Sequence, residues 1–282
     1  MRVAGVQHGM RAVAGFDEFA AQCAHHAAAA GEWNADIVVF PEFLTTQLMS
    51  IPRADGRPAG IGDLAQHTEA YRALFTGLAA RHRQTIVAGT HVHARGNKLY
   101  NGAHVFFPDG RVVVQDKLHL TPTEVSPWAI TPGERLEILE FPWGKAAVLI
   151  CYDVEFPELA RQARARGADV LLVPSCTDDR QGFHRVRHCC HARAIEDQIY
   201  VVTTHTVGNL PVEWMRGNVG NAAVITPCDV QFPPGGVQAQ GELNIEQIVV
   251  AELDLALLRR ARDGGSVRTW QDRRADLYPV LG

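Results

Sequence analysis

The stretch Ala146-Ala147-Val148-Leu149-Ile150-Cys151-Tyr152-Asp153-Val154-Glu155-Phe156-Pro157-Glu158 decides the reading of this chain. An unbroken apolar run of this length is what a strand buried on both faces requires. The Phe156-Pro157-Glu158 that follows is turn-prone and opens a helix, because proline is tolerated where a first-turn N–H has no acceptor to lose. Cys151 therefore stands where a strand ends and a helix begins, a place where a nucleophile can be presented. Two further strand-like segments end on charge: Ile37 to Phe40 runs into Pro41-Glu42, and Arg111 to Gln115 into Asp116-Lys117. Read together, they put a carboxylate, an ammonium and a thiol on one edge of a sheet.

Outward from these segments, strand-like runs alternate with amphipathic stretches. Strands are expected at Val3 to Gln7, Thr85 to His91, His104 to Phe107, Val170 to Pro174, Tyr200 to Thr204, Ala222 to Thr226 and Gln247 to Leu253. Helices are expected at Phe16 to Glu32, Thr68 to Arg83, Glu158 to Arg166, Gly182 to Asp197 and Leu255 to Arg262. That alternation is the signature of an α/β protein. Asn101-Gly102 and Pro108-Asp109-Gly110 are turn signals that favour antiparallel hairpins, so the sheet should be mixed. No linker or repeat splits the chain, and one domain over residues 1–262 is expected. A tail, 263–282, carries Gly264-Gly265, Trp270 and Tyr278-Pro279, and either packs on another subunit or faces solvent.

With 282 residues, 46% of them hydrophobic and 21% charged, the chain can bury a large core. Its net charge of -4 argues against nucleic acid or an anionic membrane as partner and leaves small-molecule chemistry. Met1 to Gln7 lacks the apolar core and cleavage site of a signal peptide, and no apolar stretch is long enough to span a bilayer, so a cytoplasmic protein is expected. The cysteines Cys23, Cys151, Cys176, Cys189, Cys190 and Cys228 show no regular spacing, which disfavours a disulfide framework.

A thiol nucleophile needs a neighbour to take its proton. Glu42 suits the task, since a carboxylate in a partly apolar site has its pKa raised by desolvation and exchanges protons near neutrality. Lys117 would stabilise the thiolate and then an oxyanion, together with the backbone N–H of Tyr152. A cysteine–histidine pair using His119 or His205 is the competing arrangement. No Gly-x-Ser-x-Gly elbow supports a serine enzyme.

Three motifs, Phe40-Pro41-Glu42-Phe43, Asp116-Lys117-Leu118-His119-Leu120 and Cys151-Tyr152-Asp153-Val154-Glu155-Phe156-Pro157-Glu158, resemble in kind and order those of the nitrilase superfamily of carbon-nitrogen hydrolases. The resemblance continues through Arg193-Ala194-Ile195-Glu196-Asp197-Gln198 and covers roughly residues 1 to 260. It implies a four-layer α-β-β-α sandwich with mixed sheets, Glu42 as general base, Lys117 as transition-state stabiliser and Cys151 as nucleophile. It also implies a second glutamate, Glu124, that orients substrate or relays a proton. The implied reaction is attack of Cys151 on a small amide, loss of ammonia or amine, and hydrolysis of a thioester, with no cofactor and no metal. Homo-oligomers, dimers or larger, are implied too.

Cys151-Tyr152-Asp153 looks more like the amidase members than the nitrilases, which tend to carry Cys-Trp-Glu. Glu155 stands where many amidase members have arginine, so a carboxylate-binding role does not carry over. N-carbamoyl hydrolysis and nitrile hydrolysis remain alternatives, as do an acyl-binding or ammonia-delivering module serving a partner protein and a catalytically silent interaction domain. Pro174-Ser175-Cys176-Thr177-Asp178 resembles the segment lining the family's pocket. There Asp178 or Asp179 receives a cationic group or merely caps the next helix. His184, His188 and His191 share one helix face and suit either a subunit contact or, given further ligands, a metal.

Overall fold

The structure, a computed structural model, describes residues 1–213 and 215–277. Its first half-sheet holds β1 (Arg2–Met10), β2 (Ile37–Phe40), β3 (Thr85–Ala88), β4 (His91–Arg95), β5 (Lys98–Phe106) and β6 (Val112–Asp116). The second holds β7 (Leu139–Phe141), β8 (Gly144–Val148), β9 (Ala168–Ser175), β10 (Tyr200–Gly208), β11 (Ala223–Ile225) and β12 (Val237–Gln240). The last strand, β13 (Gln247–Glu252), returns antiparallel to β1. β1, β2 and β3 are parallel, as are β8, β9 and β10, whereas β5 pairs antiparallel with β3, β4 and β6. The sheet is mixed, as the turn signals required. The halves meet where His8 to Met10 of β1 runs beside Thr206 to Gly208 of β10, giving one 13-stranded sheet.

Alternation along β2 shows how the layers stack. Ile37 and Val39 point into a core shared with Val148, Leu171 and Val173 of the second half-sheet. Val38 and Phe40 point the other way, onto Phe19 and Cys23 of α1 (Phe16–Glu32) and Tyr71 and Phe75 of α2 (Thr68–His82). After the short α3 (Pro122–Val125), α4 (Pro157–Ala165) and α5 (Arg180–Glu196) cover the far side of the second half-sheet through Leu159, Ala163, Val186 and Cys190. The result is a four-layer α-β-β-α sandwich in which each fully buried aliphatic or aromatic side chain contributes about 1.5–3 kcal/mol.

Some expectations need correction. Asn101-Gly102 is no turn: both residues lie inside β5, and the hairpin between β4 and β5 turns instead at Gly96, with φ +61°. Pro108-Asp109-Gly110 does turn, Gly110 N–H donating to Phe107 C=O. The strand expected over Thr85 to His91 breaks at Gly89, whose φ is +63°. Glu42 and Lys117 follow strands of the first half-sheet and Cys151 one of the second, so they meet across the sandwich rather than along one edge.

After α6 (Leu255–Gly264), the described part of the tail lies on its own chain. Ser266 donates to Asp229, Thr269 to the Ile195 carbonyl, and Trp270 stacks between Arg273 and Arg164. Tyr278 and Pro279 lie outside the described residues. No helix among those described is long and apolar enough to cross a membrane.

Gly89 fixes the peptide ahead of Glu42. A Cβ built there would lie 2.0 Å from the Pro41 carbonyl oxygen, whereas one on Gly96 would meet nothing within 4 Å. Both glycines are left-handed, so alanine costs each about 1–2 kcal/mol of backbone strain. Gly89→Ala should lose at least about 2 kcal/mol more than Gly96→Ala, by the added overpacking. Urea denaturation of the two variants reads the difference; equal losses would show that the Pro41 contact yields freely.

Candidate active site

The backbone leaves β8 through Leu149 and Ile150 and turns sharply at Cys151, whose φ of +47° is left-handed. Left-handed backbone in a non-glycine residue is strained and persists only where its surroundings hold it. The Asp153 carboxylate supplies that hold. It accepts N–H bonds from Ile150 at 3.2 Å and His119 at 2.7 Å, and the His119 ring nitrogen Nδ1 lies 3.1 Å away. One buried side chain thus ties the Cys151 turn to the loop that follows Lys117. Phe43, just after Glu42, is left-handed as well, with φ +54°.

These turns deliver four groups to one cavity of about 180 Å³, lined also by Phe43, Trp128, Cys176, Asp178 and Met215. Lys117 Nζ donates to Glu42 Oε1 and to Glu124 Oε2, at 2.7 Å each, with all three side chains only 1% exposed. Asn101 Nδ2 bridges the same carboxylates, at 3.0 Å to Glu42 and 2.9 Å to Glu124. Glu124 also accepts from Thr121 N–H and Oγ1, both at 2.9 Å, so it is a buried, saturated anchor rather than a solvated loop residue. The Cys176 peptide completes the cluster: its N–H donates to Glu42 Oε2 at 3.1 Å, and its carbonyl accepts the Cys151 thiol at 3.6 Å. Tyr152 is the second residue of the short 3-10 turn Cys151–Glu155, where an N–H has no acceptor within the turn.

Burial sets the protonation pattern. Desolvation raises the Glu42 carboxyl to about 7 against the opposing pull of Lys117, with the Glu124 charge adding to the rise. Glu124 stays below its ordinary range despite its burial, because Lys117, the Thr121 N–H and Asn101 outweigh the desolvation. Desolvation and the Glu42 charge push the Cys151 thiol well up. Lys117 does not act on the thiol alone. Two of its N–H groups go to carboxylates, and burial with the Glu42 charge favours the neutral thiol beside a raised carboxyl.

The structure thus brings together Glu42, Lys117, Glu124 and Cys151, with Tyr152 following Cys151 in the turn. The competing histidines lie elsewhere: His119 stacks on Phe156 with centroids 3.7 Å apart, and buried His205 bonds the Asn221 carbonyl at 3.0 Å. Asp179 caps α5 by accepting from Gly182 N–H at 2.6 Å, while Asp178 faces the cavity mouth. His184 and His188 stack on each other on the exposed side of α5. The one His/Cys/Asp/Glu group close enough to hold an ion among the described residues is His8, His26 and Glu246, and Arg11 already pairs with both Glu246 oxygens. Sequence reasoning missed Asn101, Asp153 and the Cys176 peptide. A pattern that places Asn101 mid-strand, two residues before the strand-like Ala103-His104-Val105-Phe106, could have found only the first.

A family model described as carbon-nitrogen hydrolase matches residues 2–263. The chain belongs to the carbon-nitrogen hydrolase family. The "Probable hydrolase YhcX" of Bacillus subtilis is 41% identical to this chain over 281 residues, which is 99% of the chain and 55% of the relative; the chain thus spans little more than half of that protein. The "Omega-amidase NIT2" of Danio rerio is 28% identical, over 89% of the chain and 87% of its own length. The solved NitN amidase of a Nesterenkonia species is 25% identical with a TM-score of 0.76, covering 99% of this chain and 98% of that one. The family relation and this fold agree with the nitrilase-superfamily resemblance of the three motifs and with an amidase-type hydrolase.

Replacing Lys117 by methionine leaves two buried carboxylates facing each other. At pH 8 the variant should lose about 3–5 kcal/mol of stability, the cost of orphaning a buried charge. At pH 5 the loss should shrink, since a protonated carboxyl removes the repulsion. Chemical denaturation at the two pH values measures both, and a loss independent of pH would contradict the charge account.

Proposed function

We propose that this protein hydrolyses small amides through a Cys151 thioester, with Glu42 as proton carrier and Lys117 and the Tyr152 N–H receiving the oxyanion. The observation that carries the reading is the placement of a neutral thiol and a carboxyl poised at about 7 around one cavity, with an ammonium at 2.7 Å from that carboxyl. Sulfur attacks the amide carbon as Glu42 takes the thiol proton, so no free thiolate has to be stored in a desolvated site. The carbonyl oxygen, now negative, lies toward Lys117 and the unpartnered N–H. Collapse breaks the C–N bond while Glu42 returns the proton to the departing ammonia or amine. Water deprotonated by the same carboxylate then attacks the thioester, and Cys151 recovers its proton. Glu124 acts in this scheme by holding Lys117, its own oxygens being occupied.

Carbamoyl compounds and nitriles are attacked by the same three groups, and ammonia release over a panel of amides, carbamoyl compounds and nitriles separates them. Cys151→Ala should abolish turnover, and mass spectrometry of the wild type during turnover should show an acyl adduct on Cys151. Wild-type rates from Cys151→Ala would end the proposal. Because Glu42 must be unprotonated to act, kcat/KM should fall about tenfold per pH unit below about 7. Glu42→Gln should cost about 10²–10⁴-fold, the ordinary worth of a positioned base. A flat profile between pH 5 and 8 would remove Glu42 from that role.

A further inference from the structure

We propose that the site selects amides whose acyl chain ends in a cation, a primary ammonium or guanidinium, and that Asp178 is the residue that selects them. The inference rests on the amide-hydrolase reading of the same cavity and names its substrate class.

The charged residues lining the cavity are Glu42, Glu124, Asp178 and Lys117. Three carboxylates face one ammonium, and that ammonium is already bound by two of the three. Asp178 is the remainder. Among the described residues its carboxylate has no hydrogen bond and no ion pair, whereas its neighbour Asp179 is spent on the α5 cap. Exposed at the mouth, it is reachable by an incoming group.

The surroundings favour the same sign. No arginine lines the cavity among the described residues. Arg185, on α5 and within electrostatic range of Cys151, is neutralised by Glu155, its Nε lying 2.9 Å from Oε1 and 2.8 Å from Oε2. A substrate with a terminal carboxylate would find no free cation among the described residues lining the cavity and would meet Asp178 at the mouth. A cationic terminus meets a carboxylate without a partner. In the same lining, the edge-to-face pair Phe43 and Trp128, with centroids 5.3 Å apart, and Met215 offer an apolar wall for an alkyl chain. A cavity of about 180 Å³ limits that chain to a few carbons.

The experiment compares ammonia release from 5-aminopentanamide, hexanamide and 4-carbamoylbutanoate, which match in length and differ in charge. Wild type should show kcat/KM in the order cation, neutral, anion. Asp178→Asn should lower the cation-to-neutral ratio by about tenfold or more, the range for a hydrogen bond to a charged group. Asp178→Arg should raise the anion-to-neutral ratio. Added salt should compress the wild-type ratio, since the pair forms at an exposed mouth. A wild-type preference for 4-carbamoylbutanoate, or a ratio unchanged in Asp178→Asn, would overturn the assignment. Calorimetric binding of the three compounds to Cys151→Ala reads the same order without turnover. If wild type hydrolyses none of them and forms no adduct while Cys151→Ala still prefers the cation, the amidase reading fails and the charge assignment stands. Equal binding of all three removes the assignment alone.

Discussion

Everything at the cavity depends on one ammonium held dry between two carboxylates. Lys117 is 1% exposed, and burying a lone ammonium would cost several kcal/mol, so its position is tolerable only because Glu42 and Glu124 each accept from it at 2.7 Å. The dependence is mutual. Without Lys117 the carboxylates repel, and Asn101 alone cannot hold two charges in a desolvated space. The asymmetry of the trio sets its chemistry: Glu124 is saturated by Thr121 and kept charged, while Glu42 keeps an oxygen toward the cavity and is raised to about 7.

The fold supplies what the trio needs by opposing two half-sheets. Residues after β2 and β6 arrive from one side and the residue after β8 from the other, so base and nucleophile approach across the inter-sheet core instead of competing for one strand end. Two left-handed turns, at Phe43 and Cys151, aim the side chains, and Asp153 locks one of them to the Lys117 loop.

Much of this was legible before any coordinates. Phe16–Glu32 and Ile37–Phe40 fall where the apolar periodicity puts them, because long amphipathic and continuous apolar runs are the least ambiguous signals in a sequence. What could not be read was tertiary. Asn101-Gly102 looks like a turn, yet pairing with β4 and β6 on both sides keeps it extended and turns its amide to the two glutamates. The resemblance brings Glu124 to the site, but only the fold shows that a capping box with Thr121 turns it inward. β7 and β12 are three and four residues long and carry too little alternation to register. Asp153 shows itself only once two loops far apart in the chain are brought together.

Position 176 divides its labour between main chain and side chain. The peptide of Cys176 contacts both the Glu42 carboxylate and the Cys151 thiol, while its sulfur faces the cavity and Asn218. Contacts made by N–H and C=O are present whatever residue occupies the position, proline excepted. The wall of the cavity can therefore be recut at this point while the chemistry beneath it is conserved, which makes position 176 a place where evolution or design changes what the pocket admits without touching how it reacts.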